Sequence, residues 1–360
     1  MVNPDLINEL RALVSDLMVI DDVTTDWPLD NAVRFRGKFQ VSRAYAHNAL
    51  VSRLQDMNRI PLFRVEDGQD VILIMPHKQT QTSQRPWLRL GLFLATVVSV
   101  MFAGMQQNTG NLLRDILSGW PLALGLLGIL ATHEFGHYFA ARLHKVPATL
   151  PLFLPMPFSI LGTFGAVITL RGYIRDRRAL LDIGAAGPLA GFVVALPVLF
   201  IGLSLSPLQQ VGACPEGMIC WSEGNSILYS LAKLIMFNQP VPGNGMDVMM
   251  HPLALAGWAG MLVTAMNLLP VGSLDGGHIA YALLGEKARL LYYPVLIGLV
   301  GLGFIWNGWW FWAVMVFFFG QARSKPLDDV SPVDSKRALV GIVTLALLIL
   351  TFVPIPISVF

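Results

Sequence analysis

The amino-acid sequence predicts a mostly α-helical protein: a polytopic bundle of membrane helices with a re-entrant hairpin, preceded by a small soluble α+β domain. Hydrophobic residues make up 54% of the 360 residues and charged residues only 13%, far from the balance of an ordinary soluble domain. Long apolar segments begin only near residue 86. We therefore divide the chain into a module at 1–85 and a membrane domain at 86–360.

The N-terminal module begins with a predicted helix, which Asn3 can cap and in whose first turn Pro4 fits. Four leucines then recur at helical spacing: Leu6, Leu10, Leu13 and Leu17. A linker through Asp26 and Pro28 should follow this helix.

A strand, a helix and a hairpin are predicted for the rest of the module. Alternate residues between 33 and 41 are apolar, which predicts a strand, and Ser42 can cap a helix that extends to Met57. Apolar strands at 60–65 and 71–75 flank a turn and form the hairpin. The module is either a folded cap of structural value or a docking domain for a substrate or regulator.

Seven apolar segments follow, most of them near the ~20 residues that a bilayer requires. They cover residues 88–107, 119–143, 180–205, 251–273, 288–306, 309–322 and 338–359. A tight turn at 306–309 separates the fifth segment from the sixth. Leu150–Leu170 is apolar but interrupted by Pro and Gly, which predicts a hairpin that dips into the membrane. We therefore expect about seven spans in a lipid bilayer.

The distribution of Lys and Arg predicts the orientation of these spans. If the spans alternate, the basic residues of five loops fall on one side: Arg85 and Arg89, Arg142 and Lys145, 171–178, Lys287 and Arg289, and 323–337. The positive-inside rule places that side and the N-terminal module in the cytoplasm. The first residues lack a basic region followed by an apolar core and are too acidic for a transit peptide, so we expect a bacterial or archaeal plasma membrane.

The net charge and the two cysteines bear on nucleic-acid binding and on disulfide formation. A net charge of +2, carried by dispersed Lys and Arg, argues against a nucleic-acid partner. Cys214 and Cys220 should face outward, where a disulfide and two free thiols are both compatible with the sequence. The sequence indicates no oligomeric state.

A metal-binding motif lies at the inner end of the second apolar segment, where residues 132–137 read Thr-His-Glu-Phe-Gly-His. In a helix, His133 and His137 lie one above the other on one face, so two imidazole nitrogens can bind one Zn²⁺. Glu134 adjoins the first ligand and can take a proton from water and later give it to a leaving amine. The motif therefore predicts one catalytic zinc ion and hydrolytic chemistry.

A third ligand is needed because catalytic zinc usually has three protein ligands and one open position. The segment that begins at 251 ends in a run from Asn267 to His278, with the sequence NLLPVGSLDGGH. Its Asp275 should lie at the same membrane depth as His137. Because an unpaired charge in a bilayer costs on the order of 3 kcal/mol, an intramembrane Asp is a functional candidate.

The HEFGH motif, followed by NLLPxxxLDGGH in a later helix, resembles the site-2 protease family of intramembrane zinc metalloproteases. The resemblance extends from about Pro86 to Leu284, and the N-terminal module and the stretches 223–229 and 251–258 resemble the branch related to chloroplast EGY proteases. It implies that His133, His137 and Asp275 bind zinc and that Glu134 is the catalytic base.

Two further features are candidates for contact with the substrate. The hairpin residues Gly162, Thr163, Phe164 and Gly165 can pair with an unwound substrate segment, or can simply pack between helices. The resemblance implies that Asn267 positions the substrate carbonyl or stabilises its oxyanion, whereas an interhelical hydrogen bond is the alternative.

The expected function is therefore hydrolysis of peptide bonds in or near the membrane-spanning segment of another protein, with a transmembrane protein as substrate. A non-catalytic membrane chaperone or scaffold with structural zinc is the main alternative. A structural zinc site normally has four protein ligands, which argues against it. A transporter is a third class, but the sequence has no detectable inverted repeat that would support it.

Overall fold

A computed structural model describes residues 2–26, 30–76, 86–105, 109–210, 221–322 and 325–359. Within them the chain is mostly helical, with one four-stranded sheet and three two-stranded sheets. Cys214 and Cys220, and with them the question of a disulfide, lie outside the described residues.

The N-terminal module is an antiparallel sheet packed against two helices. Its elements are α1 (Pro4–Val14), β1 (Met18–Thr25), β2 (Val33–Phe39), α2 (Arg43–Leu54), β3 (Arg59–Glu66) and β4 (Gln69–Pro76). The strand order is β1-β2-β4-β3. Asn3 and Ser42 cap the two helices as predicted, with side-chain oxygens that accept hydrogen bonds from Asp5 N and Tyr45 N.

One strand of this sheet was not predicted. Helix α1 ends at Val14, whereas the leucine spacing predicted a helix as far as Leu17, and β1 occupies residues for which a linker was predicted. Pairing with β2 explains the difference, because Met18 lies opposite Phe39 and Thr25 opposite Val33. Leu17 and Met18 are both buried in the core of the module. Tertiary packing therefore overrides the local helical spacing.

The rest of the chain contains ten further α-helices and one 3-10 helix within the described residues. They are α3 (Pro86–Ala103), α4 (Leu112–Ser118), α5 (Trp120–Leu143), α6 (Arg177–Ser204), α7 (Ile227–Phe237), α8 (Pro252–Asn267), α9 (Asp275–Leu284), a 3-10 helix (Gly285–Leu291), α10 (Tyr292–Gly303), α11 (Gly308–Phe319) and α12 (Ser335–Thr351). Short strands pair as β5 (Leu152–Pro155) with β6 (Thr163–Val167), β7 (Leu208–Gln210) with β9 (Met246–Val248), and β8 (Trp221–Glu223) with β10 (Ile357–Val359).

Two of the described helices, α3 and α6, are long and apolar enough to cross a bilayer. A third candidate span results if α4 and α5, which meet at an angle of 46°, are counted together. Each of the seven predicted segments contains a helix, but α8, α10, α11 and α12 have only 16, 12, 12 and 17 residues. About seven spans therefore stays a prediction. The predicted turn between the fifth and sixth segments separates α10 from α11.

The largest buried core of the predicted membrane domain, residues 86–360, lies between α5, α6 and α8 among the described residues, and their apolar side chains pack against one another. The β5–β6 hairpin lies at 152–167, within the segment predicted to form one. Its strand β5 packs beside α3, as the edge contact between Phe93 and Phe153 illustrates. The second strand, β6, is therefore the one that faces the central helices.

A short segment at 327–329 joins the N-terminal module to the membrane domain. Phe63 N on β3 donates to Leu327 O (2.7 Å), and Asp329 N donates back to Phe63 O (3.3 Å). On its other side, Leu327 N donates to Ile174 O (2.8 Å), and the Asp329 carboxylate pairs with Arg177 at the start of α6 (2.9 Å). The module is thus held by main-chain hydrogen bonds next to the entry of α6.

Candidate active site

Helix α5 brings the two motif histidines together. His133 and His137 are four residues apart and therefore lie on one face of the helix. Their side chains are buried, and their Nε2 atoms are 3.2 Å apart. Both rings face α6 and α9 within the membrane domain.

Asp275 is the first residue of α9 and closes the cluster. Its Oδ2 lies 3.1 Å from His133 Nε2 and its Oδ1 lies 3.2 Å from His137 Nε2. The donor atoms of these three residues all lie within 4.8 Å of one another. The turn before α9 is tight, because a Cβ on Gly276 would lie only 2.0 Å from Leu268 O. The Asp-Gly sequence is therefore what allows the carboxylate to approach the histidines.

The backbone of α6 orients His137. Its Nδ1 lies 2.7 Å from Ile183 O, and a carbonyl can only accept, so Nδ1 carries the proton and donates. Nε2 then presents a lone pair toward the other two donors. This contact has the form of the second hydrogen bond that metal-binding histidines commonly make.

Two glycines let α6 lie against the histidines. A Cβ on Gly187 would lie 2.1 Å from His137 Nε2, and a Cβ on Gly191 would lie 3.1 Å from His133 Cβ. The two glycines therefore leave room for the imidazole rings of His133 and His137 beside α6.

Glu134 lies between two cavities that share it as a lining residue. It is 7% exposed and, among the described residues, forms no ion pair. The polar chamber has a volume of about 430 Å³ and is lined by Glu134, the three cluster residues, Ser273 and His278, together with apolar residues at 166–184. The apolar chamber, of about 310 Å³, lies between β6, α8 and α11. The carboxylate is thus within reach of groups in either chamber.

Asn267 also reaches the cluster. It ends α8, and its Nδ2 lies 3.4 Å from His133 Nε2. It lines both chambers, so its amide is close to the three donors and to open space at once.

The predicted hairpin residues divide between two environments. Phe164 and Gly165 line the apolar chamber. Gly162 and Thr163 instead hold the hairpin together: Gly162 O accepts from Ser99 Oγ on α3 (2.5 Å), and Thr163 Oγ1 donates to Leu154 O on β5 (2.9 Å). Gly162 has a φ of +71°, which favours glycine at this turn.

Sequence reasoning did not identify the contribution of α11 to the site. Five of its residues line the apolar chamber: Phe311, Trp312, Met315, Val316 and Phe319. They follow the last motif by more than 30 residues and belong to no pattern of catalytic residue types. Their spacing on one helix face is the only signal, and a bilayer-facing stripe has the same spacing.

The chain is similar to a known protein family and to several known proteins. Residues 121–295 match the model of Peptidase family M50. The chain is 29% identical over 351 residues to the probable zinc metalloprotease EGY2, chloroplastic, of Oryza sativa subsp. indica, an alignment that covers 93% of this chain and 63% of the rice protein. It is 28% identical over 354 residues to the Arabidopsis thaliana protein of the same name, with 93% and 62% covered.

A third relative, the probable zinc metalloprotease EGY1, chloroplastic, of Oryza sativa subsp. japonica, is 34% identical over 298 residues, which cover 74% of this chain and 50% of that protein. The chain thus spans at most about three fifths of the length of these curated relatives. The matched region contains α5, α6, α8 and α9, and with them His133, Glu134, His137, Asn267 and Asp275. Residues 121–295 therefore form a domain of peptidase family M50, the site-2 proteases.

Proposed function

We propose that this chain is an intramembrane zinc metalloprotease that hydrolyses peptide bonds in or near the transmembrane segments of other membrane proteins. The convergence of His133, His137 and Asp275 beside Glu134, among apolar helices, is the observation that carries the proposal. The relatives in rice and Arabidopsis are named zinc metalloproteases, which supports the same chemistry for this chain.

A zinc ion would be held by His133, His137 and Asp275, whose side chains have suitable donor atoms. Two imidazole nitrogens and a carboxylate oxygen are donor types of catalytic zinc sites, and three protein ligands leave one position open. Among the described residues, the ion-pair partners of Asp275 are the two histidines alone, so the cluster has no Lys or Arg of its own. When bound, zinc would lower the pKa of a water molecule and polarise the substrate carbonyl.

The side chains around this cluster supply the remaining steps. The Glu134 carboxylate takes a proton from the attacking water and returns it to the amine nitrogen as the peptide bond breaks, so it ends in its starting state. The Asn267 amide donates a hydrogen bond to the carbonyl oxygen as negative charge develops there. Ile183 O keeps the His137 ring in the orientation that presents Nε2.

The substrate segment must be extended at the site, because a transmembrane helix satisfies its carbonyls by its own hydrogen bonds. β6 is paired with β5 on one edge, and its other edge has no strand partner within the described ranges. Residues 164–167 of this strand line the apolar chamber. Addition of the substrate as a further strand at this edge would hold its backbone beside Glu134.

A location in a membrane agrees with the apolar helices and with the family. We propose in addition that the protein is a multi-pass protein of the plasma membrane with about seven spans. The charge distribution of the loops supports a cytoplasmic N-terminal module.

Glu134→Gln provides the decisive test. The full-length protein and the variant are purified in detergent, their zinc is measured, and both are co-expressed with single-span test proteins. We expect about one zinc per molecule in both proteins and cleavage only by the wild type. Wild-type protein without zinc, or cleavage that survives Glu134→Gln, would refute the proposal and favour a scaffold.

A further inference from the structure

The apolar chamber has no assigned occupant in the hydrolysis proposed above, although it opens directly beside the proposed base. It shares three lining residues of the reaction centre with the polar chamber: His133, Glu134 and Asn267. From these it extends away from the zinc-binding cluster toward α11. A substrate side chain that enters the chamber would therefore belong to a residue one or two positions from the scissile peptide bond.

The wall on the α11 side consists of bulky apolar side chains. Phe311 and Met315 are four residues apart and lie on the same helix face, which points into the chamber. Across the chamber, the Phe311 ring meets Phe164 of β6 edge to face, with centroids 6.4 Å apart. The chamber therefore suits an uncharged, apolar group that passes between β6 and α11.

The opposite wall is the strand β6, whose second edge pairs with no other strand in the described part of the chain. Phe164, Gly165, Ala166 and Val167 line the apolar chamber, and Ala166 and Val167 also line the polar chamber. In a strand paired with this edge, successive side chains point to opposite faces. One side chain can therefore enter the apolar chamber while the neighbouring peptide bond stays next to Glu134.

The size of the chamber selects between possible occupants. One turn of an intact helix, about 10 Å wide with its side chains and 5.4 Å long, occupies roughly 420 Å³, which exceeds the cavity volume of about 310 Å³. A single Leu, Met or Phe side chain is of the appropriate scale. The extended segment that hydrolysis requires would present such a side chain.

We propose that the apolar chamber is the subsite for one large apolar side chain next to the scissile bond, and that Met315 and Phe311 set the size it accepts. This inference rests on the proposed protease function and deepens it, because it assigns side-chain selectivity to α11. Met315 and Phe311 act on the substrate side chain and take no part in zinc binding.

The test compares one pair of variants with a control on the same helix. Met315→Trp fills the chamber and Met315→Ala enlarges it, whereas Val314→Trp places the same indole on the neighbouring residue, which is 53% exposed and does not line the chamber. Full-length proteins in detergent are given single-span test proteins whose cleavage site is mapped by mass spectrometry. Ala, Leu, Phe or Trp is then placed at each residue flanking that site.

At one flanking position we expect the wild type to prefer Leu or Phe over Ala. Met315→Trp should shift the Phe-to-Ala ratio of cleavage rates toward Ala by about 10- to 200-fold, the range for changes in a hydrophobic pocket. Met315→Ala should shift preference the opposite way, toward Trp. Val314→Trp should leave both ratios as in the wild type, and zinc content should be equal in all four proteins.

Each failure has a distinct meaning. If the wild type cleaves and Glu134→Gln does not, but neither Met315 variant changes the ratios, the subsite is refuted and the protease function stands. That result would leave a lipid acyl chain as the occupant of the chamber. An equal shift in Val314→Trp would also refute the subsite, since bulk outside the chamber would then suffice. If the wild type cleaves no test protein, the proposed function and this inference fall together.

Discussion

Two buried polar clusters in the membrane domain differ in whether a Lys or Arg side chain balances their carboxylates. The active-site cluster of His133, His137 and Asp275 contains no Lys or Arg among the described residues. The second, which we call the lysine cluster, comprises Lys233, Glu223, Asp247 and Tyr229. Lys233 is completely buried and lies 3.5 Å from Asp247 Oδ1, 4.0 Å from Glu223 Oε1 and 4.6 Å from the Tyr229 ring centroid.

The difference explains why one cluster is a metal-site candidate and the other is not. Lys233 Nζ lies between two carboxylates, and Tyr229 OH donates to Glu223 Oε1 (2.8 Å), so the lysine cluster contains a cation of its own. The three donors of the active site lack such a charge and face a chamber. A buried charge in an apolar setting is therefore a functional candidate only when its compensation is missing from the chain.

The largest expected effect is on the active-site cluster. Asp275→Asn should abolish zinc binding and lower the cleavage rate by about 10⁴-fold or more, the scale on which essential catalytic groups act. Asp247→Asn makes the same change in the lysine cluster and should retain zinc and cleavage. Zinc analysis and the single-span cleavage assay compare the two variants. Zinc loss from Asp247→Asn would contradict the distinction between the clusters.

The second prediction changes the lysine cluster and expects an effect on stability but none on zinc binding. Lys233→Met leaves Glu223 and Asp247 buried without their cation, which should reduce the free energy of unfolding by about 3–5 kcal/mol. Zinc per folded molecule should not change, because the active-site cluster does not use Lys233. Thermal unfolding in detergent measures the first effect and metal analysis of the folded fraction the second. Lys287→Met, at an exposed lysine, should unfold like the wild type.

A third, smaller effect tests the space around the donors. Gly187→Ala introduces a Cβ whose ideal position is 2.1 Å from His137 Nε2, so the imidazole must move. We expect zinc affinity to fall by about 10- to 100-fold, as when a contact that orients a ligand is lost. Gly128→Ala on α5 is the matched control, since its Cβ meets nothing within 4 Å. Competition with a zinc chelator measures both affinities. Equal affinities would contradict the prediction and show that α6 shifts to accommodate the added methyl group.

The candidate active-site residues could be chosen from the sequence because their signals are local. His133, Glu134 and His137 occupy one helical turn, and Asp275 stands in a short motif with the glycine that its turn requires. Their roles remain predictions, but the structure brings their side chains together. The helix caps at Asn3 and Ser42 were predictable for the same reason.

Contacts between distant segments could not be predicted. The lysine cluster joins residues from α7, β8 and β9, and Lys233 lies outside the stretch 223–229 that carries the resemblance. The strand β10 pairs with β8 more than 130 residues earlier. The link from β3 to 327–329 connects the two ends of the chain. None of these pairings has a local pattern, because each depends on tertiary packing.

The smallest expected effect separates charge from hydrogen bonding in the lysine cluster. Burial raises the pKa of Glu223 above its ordinary value of 4.5, with opposing contributions from Tyr229 and Lys233 and a further upward one from Asp247. Between 4.5 and the raised pKa, the folded state keeps a proton that the unfolded state has released. The free energy of unfolding therefore falls as pH rises through this interval.

Glu223→Gln should remove this pH dependence. The amide oxygen can still accept from Tyr229 OH, and Asp247, the nearer carboxylate, still pairs with Lys233. We expect the variant to match the wild type near pH 4 and to be more stable near pH 8, by about 1 kcal/mol or less. Thermal unfolding at both pH values tests the sign. A variant that is less stable at pH 8 would mean that Lys233 needs both carboxylates, and that charge balance in the lysine cluster is as strict as in the active-site cluster.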